Sequence, residues 1–299
     1  MSNLDRKKVQ VLEFTGERYI PEKCGSTDEI SLEHQHRYSA LIDLVKDKRV
    51  LDIACGEGFG SDLLSRSASS VVGIDIFPQA VDHASSKYKK ANLGFQVGNV
   101  RQINLPDKSV DVIVSFETIE HVSEEDQRIF LSEALRVLDP AGVLIISTPN
   151  KLIYSDMPKN SNPFHIKEFY RDEFIAFLKT RFSSVRLFEQ AFEVCSVIAD
   201  PASKTTKVLD VQATGQPQGK YMVAVCSLQR SSIEKYDLSS IVHESSCYNF
   251  WDLRHRSSQL EIIQASDYYR ISQWFRNFPP FMAVYGFLRK IICAIVRKG

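Results

Sequence analysis

The sequence predicts an α/β chain built on a doubly wound, mostly parallel sheet of seven strands, and three observations carry that prediction. Short apolar runs such as Val50-Leu51-Asp52-Ile53, Val110-Asp111-Val112-Ile113-Val114 and Val143-Leu144-Ile145-Ile146 recur between helical segments, as strands covered on both faces do. The first run breaks into a glycine-spaced turn, Ala54-Cys55-Gly56-Glu57-Gly58-Phe59-Gly60, from which a helical pattern starts at once. The next run, Val71-Val72-Gly73-Ile74-Asp75, ends in an acid about 20 residues on, where a βαβ unit holds ribose hydroxyls. Glycines admit close backbone approach and a helix start favours negative charge, so strand, turn and helix together form a cofactor cradle.

Taken in order, strands are expected near 49–53, 70–75, 95–99, 110–116, 143–148, 184–190 and 221–228. Helices are expected near 31–46, with Ser31 as N-cap, and near 59–68, 78–91, 124–139 and 167–180. Pro78 suits a first helical turn, and Asp139-Pro140-Ala141-Gly142 reads as the turn that closes the long helix. Such alternation gives right-handed crossovers between parallel strands. Residues 1–30 read as a lead-in that serves as an N-terminal helical lid, 31–229 as the main domain, and 230–299 as a C-terminal helical extension. Within the main domain, 151–163 is an acceptor-side loop and 191–220 a polar excursion.

The last stretch has its own character. After Asp267 there is no acidic residue, while Arg270, Arg276, Arg289, Lys290, Arg297 and Lys298 alternate with aromatic and aliphatic residues. Phe281, Tyr285, Leu288, Ile292 and Ile295 keep helical spacing, which fits a helix docked on protein or one lying on a membrane surface through residues 268–299.

Composition weighs against several classes of function. Lys plus Arg equals Asp plus Glu, 37 of each, so no global basic field exists to hold nucleic acid. The six cysteines are scattered without a C-x-x-C pair, which argues against a zinc ribbon or a disulfide framework. The N-terminus lacks the apolar core of a secretory signal, and no uninterrupted apolar run reaches the about 18 residues needed to span a bilayer. A cytoplasmic protein is expected, with the basic tail able to hold it at the inner face of the membrane.

The glycine turn and Asp75 alone fit either a nicotinamide dehydrogenase or a methyltransferase. Three features resemble class I S-adenosylmethionine-dependent methyltransferases. They are the order Asp52-x-Ala54-Cys55-Gly56-Glu57-Gly58-x-Gly60, the stretch from Phe95 to Asp111, and Glu133-Ala134-Leu135-Arg136-Val137-Leu138-Asp139-Pro140-Ala141-Gly142. A closer resemblance, to bacterial methyltransferases associated with O-antigen and other surface-polysaccharide clusters, lies in Gly16–Pro21, Glu33–Tyr38 and Asn162–Glu168. These resemblances imply a Rossmann-like fold and transfer of a methyl group from S-adenosylmethionine to a sugar hydroxyl of a surface glycan or its lipid-linked precursor. They also imply that Gly56 and Gly58 contact the methionine part, Asp75 the ribose, and Asn99 and Val100 the adenine. Asn99 stands where many relatives have Asp, and its amide oxygen would take the exocyclic amine. Arg37 is the candidate partner for the cofactor carboxylate; Tyr19, Asp52, Ile76 and Phe116 complete the expected cofactor set.

The fourth strand ends in Ser115-Phe116-Glu117-Thr118-Ile119-Glu120-His121, with no N-P-P-Y motif of base-amine methylation. In a helical turn, Glu117, Glu120 and His121 would share one face, and two carboxylates with an imidazole suit a divalent metal such as Mg, Mn, Fe or Zn. His165 is the expected fourth ligand, and Glu117 and His121 are the expected catalytic residues. The pattern is similar to the metal set of small-RNA 2′-O-methyltransferases and of ubiquinone-pathway O-methyltransferases. A quinone precursor or an RNA 3′ end is therefore an alternative acceptor, His121 acting as an unaided base an alternative mechanism, and a non-catalytic cofactor-binding scaffold a third reading.

Overall fold

Seven strands form one sheet in the order β3-β2-β1-β4-β5-β7-β6. This is a computed structural model, and it describes residues 19–21, 23–24, 28–192 and 219–240. The strands are β1 Arg49–Ile53, β2 Ser70–Asp75, β3 Leu93–Val97, β4 Val110–Ser115, β5 Leu138–Pro149, β6 Ser184–Gln190 and β7 Tyr221–Ser227. The helices are α1 Glu29–Ser39, α2 Phe59–Leu64, α3 Pro78–Lys87, α4 Glu124–Val137, α5 Arg171–Leu178 and the short α6 Arg230–Ile233. Only β7 runs against its neighbours, pairing antiparallel with both β5 and β6. The strand order reverses between β1 and β4, which opens a crevice at their carboxyl ends.

The apolar runs are buried on both faces, as expected. Leu51, Ile53, Ile113, Leu144, Ile146, Met222 and Ala224 pack with Phe130, Leu131 and Ala134 of α4 and Phe174 and Leu178 of α5. Their strand neighbours Val50, Val112, Val114, Val143, Ile145, Val223 and Val225 face the other way, against Leu41, Val45, Leu63 and Leu64. Two-residue alternation thus splits one apolar sequence between two cores. Ile233 and Tyr236, beyond the last strand, join the second core, and Arg186 Nη1 donates to the Tyr236 carbonyl at 3.0 Å.

Boundaries moved where local hydrogen bonding overrode periodicity. The first helix ends at Ser39, not 46, and its N-cap is Asp28; Ser31 is buried inside it. Leu41, Ile42 and Lys46 bond three residues back, so tighter turns carry the apolar side chains to the core. The strand expected at 95–99 is shifted to Leu93–Val97, leaving Asn99 in a turn. Asp139–Gly142 does not interrupt β5. It forms a bulge between the Val110–Leu138 and Val112–Val143 pairs, where Pro140 needs no ladder hydrogen bond. The helix expected from 167 starts at Arg171, because Phe169 bridges to Asn150 and Tyr170 is the N-cap. Leu152–Asp156, expected as loop, is one turn of π-helix.

Met1–Val242 and His243–Gly299 form two units, and all described residues belong to the first. The expected lid before residue 19, the excursion over 193–218 and the basic tail over 268–299, with its membrane contact, lie outside the described residues. Among the described residues no helix is long and apolar enough to cross a membrane.

Candidate active site

At the carboxyl end of β1 the chain turns through left-handed Ala54, Gly56 and Gly58, with φ of 62°, 58° and 92°. Glycine is required at Gly58, where a Cβ would lie 2.8 Å from Ala84 and 2.9 Å from the Phe95 ring. Gly60 is tighter still, since a Cβ would enter the Tyr38 ring at 2.0 Å. The acids around this turn brace it. Asp52 is fully buried; its two oxygens accept from Tyr38 Oη at 3.1 Å and Ser61 Oγ at 2.6 Å, and burial pushes its pKa up to about 6. Asp75 accepts the backbone N–H of Gly56 at 2.8 Å and of Phe77 at 3.0 Å. Glu57 is held by Lys87 at 2.8 Å and Tyr88 at 3.0 Å.

Beside the turn, Ile76, Phe77 and Val97 are more than half exposed at the ends of β2 and β3, an open apolar ledge. Val100 is buried in the core. Asn99 Oδ1 accepts from the N–H groups of Arg101 and Gln102 at 2.8 and 3.2 Å. Its oxygen is therefore committed to the turn, and the amide presents its NH₂; the expected acceptance of an exocyclic amine through that oxygen does not match this arrangement.

Helix α1 lies over the same end of the sheet and brings Arg37 there, 4% exposed. Its Nη1 donates to Gln190 at 2.7 Å and stands 3.8 Å from Glu117 Oε1, and its guanidinium lies 4.8 Å from the Tyr221 ring centre. Nε and Nη2 are buried without a hydrogen-bond partner among the described residues. A buried guanidinium with two unanswered donors has the chemistry to take a carboxylate. Phe116 is packed between Arg37 and Tyr38, and Tyr19 stacks on His34 at 5.4 Å and meets Phe59 edge-on.

On the other side of the crevice, β4 ends at Ser115 and Glu117 takes φ of 48°, left-handed for a residue with a Cβ. This turn separates the residues expected on one helical face. Glu117 is tied to Ser147, whose Oγ accepts from the Glu117 N–H at 3.1 Å and donates to Oε1 at 2.5 Å. Glu120 and His121 lie on a 3₁₀ turn and go with His165 instead. One ligand atom from each of Glu120, His121 and His165 lies within 4.8 Å of the other two. Glu117 is outside this group, although its charge, after burial, helps to raise the Glu120 pKa well above the carboxylate range.

Neighbours fix each member of the cluster. Glu120 is fully buried; Oε2 accepts from Thr148 Oγ1 at 3.0 Å and Oε1 has no hydrogen-bond partner among the described residues. His121 Nδ1 lies 3.0 Å from the Phe164 carbonyl, which can only accept, so Nδ1 carries a proton; in the neutral ring Nε2 is then the basic nitrogen. His165 Nδ1 lies 2.5 Å from Glu168 Oε1, which also accepts from Ser155 Oγ at 2.8 Å. Asn162 Nδ2 is 3.0 Å from His165 Nε2. Imidazoles whose Nδ1–H is held by a carbonyl or carboxylate are oriented to coordinate a metal through Nε2; at His165 that atom already accepts from the Asn162 amide, which a metal would have to displace.

Ser147, Thr148, Glu168 and Gln190 were not expected at the site. A Ser-Thr pair ending an otherwise apolar strand, and a Glu three residues after a His, are the signals that point to the first three. Gln190 has no such signal.

The fold and crevice define a class I methyltransferase, and comparison with known proteins agrees. Residues 51–146 match the family model described as a methyltransferase domain. A probable S-adenosylmethionine-dependent methyltransferase of Mycolicibacterium smegmatis is 37% identical over 185 residues, 60% of this chain and 68% of the relative. A ubiquinone biosynthesis O-methyltransferase of Azorhizobium caulinodans is 28% identical over 137 residues, 45% of this chain and 53% of its own. A Pyrococcus horikoshii protein of known crystal structure shares the fold, with a TM-score of 0.51, 19% identity, and coverage of 71% of this chain and 97% of its own. A Mycobacterium tuberculosis relative is matched over 60% of its length. The chain belongs to the S-adenosylmethionine-dependent methyltransferases, and the buried half-answered Arg37 and the apolar ledge beside Asp75 fit that cofactor.

Proposed function

We propose that this chain is an O-methyltransferase in which Glu120, His121 and His165 hold a divalent cation beside an acceptor hydroxyl. The observation that carries this reading is the convergence of a buried carboxylate oxygen lacking a partner with two imidazoles held by their Nδ1–H groups. When bound, S-adenosylmethionine supplies a methyl group on a cationic sulfur that is already activated. The chain therefore has to hold the two reactants in line, assist loss of the hydroxyl proton and exclude water. Arg37 would answer the cofactor carboxylate, and Ile76, Phe77 and Val97 would flank the adenine. A divalent cation in the cluster would place positive charge next to the hydroxyl and favour its ionisation.

A second reading rests on the His121 tautomer. With its proton on Nδ1 and its side chain 30% exposed, His121 can accept a proton at Nε2 without any metal. For the acceptor, the sugar hydroxyl of a surface glycan or lipid-linked precursor is what the motif resemblance implies, and a hydroxylated quinone precursor is suggested by the Azorhizobium caulinodans relative's name. Methyl transfer from labelled S-adenosylmethionine to extracted glycans and quinone precursors tests both. Chelator should abolish transfer, with recovery on adding Mg, Mn, Fe or Zn. A full rate after chelation would leave the base-only reading, and a label recovered on nitrogen or carbon would overturn O-methylation.

A further inference from the structure

Ten large hydrophobic side chains are exposed among the described residues, and five of them lie in one connection, between Leu152 and Tyr170. Single exposed hydrophobics are ordinary, but a concentration on one short segment marks a contact surface. Met157, Ile166 and Phe164 are 67%, 65% and 52% exposed. This connection follows β5 at the carboxyl edge of the sheet, and its backbone serves the cluster directly. The Phe164 carbonyl accepts from His121, and the Ile166 N–H donates to the Glu120 carbonyl at 2.7 Å. Hydrogen bonds hold the segment in shape, from Phe164 N–H to Asn162 Oδ1 at 3.0 Å and from Tyr170 Oη to Asp156 at 2.8 Å. The exposed side chains of Phe164 and Ile166 thus stand on the backbone that bonds His121 and Glu120.

We infer that the acceptor carries an apolar chain, and that Met157, Phe164 and Ile166 hold this chain beside the cluster. This deepens the O-methylation reading and rests on it for the position of the reactive end. An acceptor chain accounts for the surface better than a bilayer or a second copy of the protein. Phe164 and Ile166 stand on the backbone that bonds His121 and Glu120, and His121 keeps 30% of its side chain exposed, so the surface adjoins the reactive end, which an acceptor chain requires and a bilayer or second copy does not.

The test uses the full chain and the series from 1,2-butanediol to 1,2-octanediol, with binding read by calorimetry and transfer by labelled S-adenosylmethionine. Full burial of a methylene strengthens binding about fourfold, so half-burial on an open rim should give about twofold per methylene. Phe164→Ser with Ile166→Ser should flatten that dependence; Met157→Ser, a second and milder variant, should weaken it. Chain-length dependence without methylation of any diol would sustain the apolar rim and sink the hydroxyl reading. Methylation with affinity independent of chain length would do the reverse. Length-independent binding together with flotation on phosphatidylcholine vesicles that the double variant loses would overturn the inference in favour of a bilayer. Concentration-dependent dimerisation lost in that variant would overturn it in favour of a second copy.

Discussion

Two sides of one crevice treat their buried carboxylates differently. Around the glycine turn, the carboxylates Asp52, Glu57 and Asp75 are answered by hydroxyls, an ammonium and backbone N–H groups of the chain itself. Beyond β4, Glu120 keeps a buried oxygen without a hydrogen-bond partner among the described residues. A buried unanswered polar atom costs about 1–3 kcal/mol, a cost that a bound ligand at Glu120 would recover. On the proposed reading, the braced side is the one that would hold the donor and the other the one that would meet the acceptor. Arg37 bridges them, reaching from α1 over the turn to within 3.8 Å of Glu117.

The largest expected effect tests that division directly. His121→Ala and His165→Ala should each lower the methyl-transfer rate by about 10²–10⁴-fold, the range of a lost general base or ligand. Calorimetry should find the affinity for S-adenosylmethionine unchanged in both. Equal losses of cofactor affinity would mean that the two sides are a single unit.

Next in size is damage to the braced side. Gly60→Ala drives a methyl group into the Tyr38 ring, and Tyr38 cannot retreat without leaving Asp52. Overpacking of this kind costs about 3 kcal/mol, visible as a lower denaturation midpoint with unchanged slope. Full stability in this variant would show that α1 yields easily and that the bracing is loose.

Arg37→Ala should weaken cofactor binding about 30-fold, or about 2 kcal/mol, through loss of charge-assisted hydrogen bonds. Arg37→Lys should recover little, because an ammonium cannot reproduce the planar fork. A changed rate at saturating cofactor, with the Kd intact, would move Arg37 to the acceptor side.

The same contrast explains what the sequence disclosed. The braced side is local: β1, the turn and α2 span residues 49–64, and the order of glycines and acids within that span announces them. The cluster joins Glu120 and His121 to His165 across more than 40 residues, and spacing names its residue types without its geometry. Glu117 was expected on one face with Glu120 because a helical turn was assumed after β4. A left-handed residue there breaks the face, and nothing short of the Ser147 contact signals that break. Asn99 shows the same limit: its chemistry was legible, but its capture by the N–H groups of Arg101 and Gln102 depends on a turn two residues past the actual strand end at Val97, where the strand was expected to continue.

The smallest expected effect concerns how α1 is fastened. Glu33 accepts from Lys220 at 3.0 Å and from Tyr221 Oη at 3.0 Å, while Arg37, one turn on, is held by Gln190. Burial pushes the Glu33 pKa up to about 7, against the pull of Lys220 and Arg37 and with a further push from Glu29. Below its ordinary value of 4.5 the group is protonated in both folded and unfolded chains, and its contribution to stability is fully present. Between 4.5 and about 7 the folded chain keeps a proton that the unfolded chain has lost, so that contribution falls as pH rises and is gone above the folded value. The full shift would be worth about 3 kcal/mol, and movement of Lys220 toward the ionised carboxylate should leave about 1 kcal/mol to be seen. Glu33→Gln keeps an acceptor for Tyr221 and removes the titration. The stability difference between variant and parent, from denaturant unfolding at pH 5 and pH 8, should grow in the variant's favour at the higher pH. A constant difference would mean that Glu33 is ionised throughout, and that α1 is fastened by an ion pair with Lys220 and not by a shared proton.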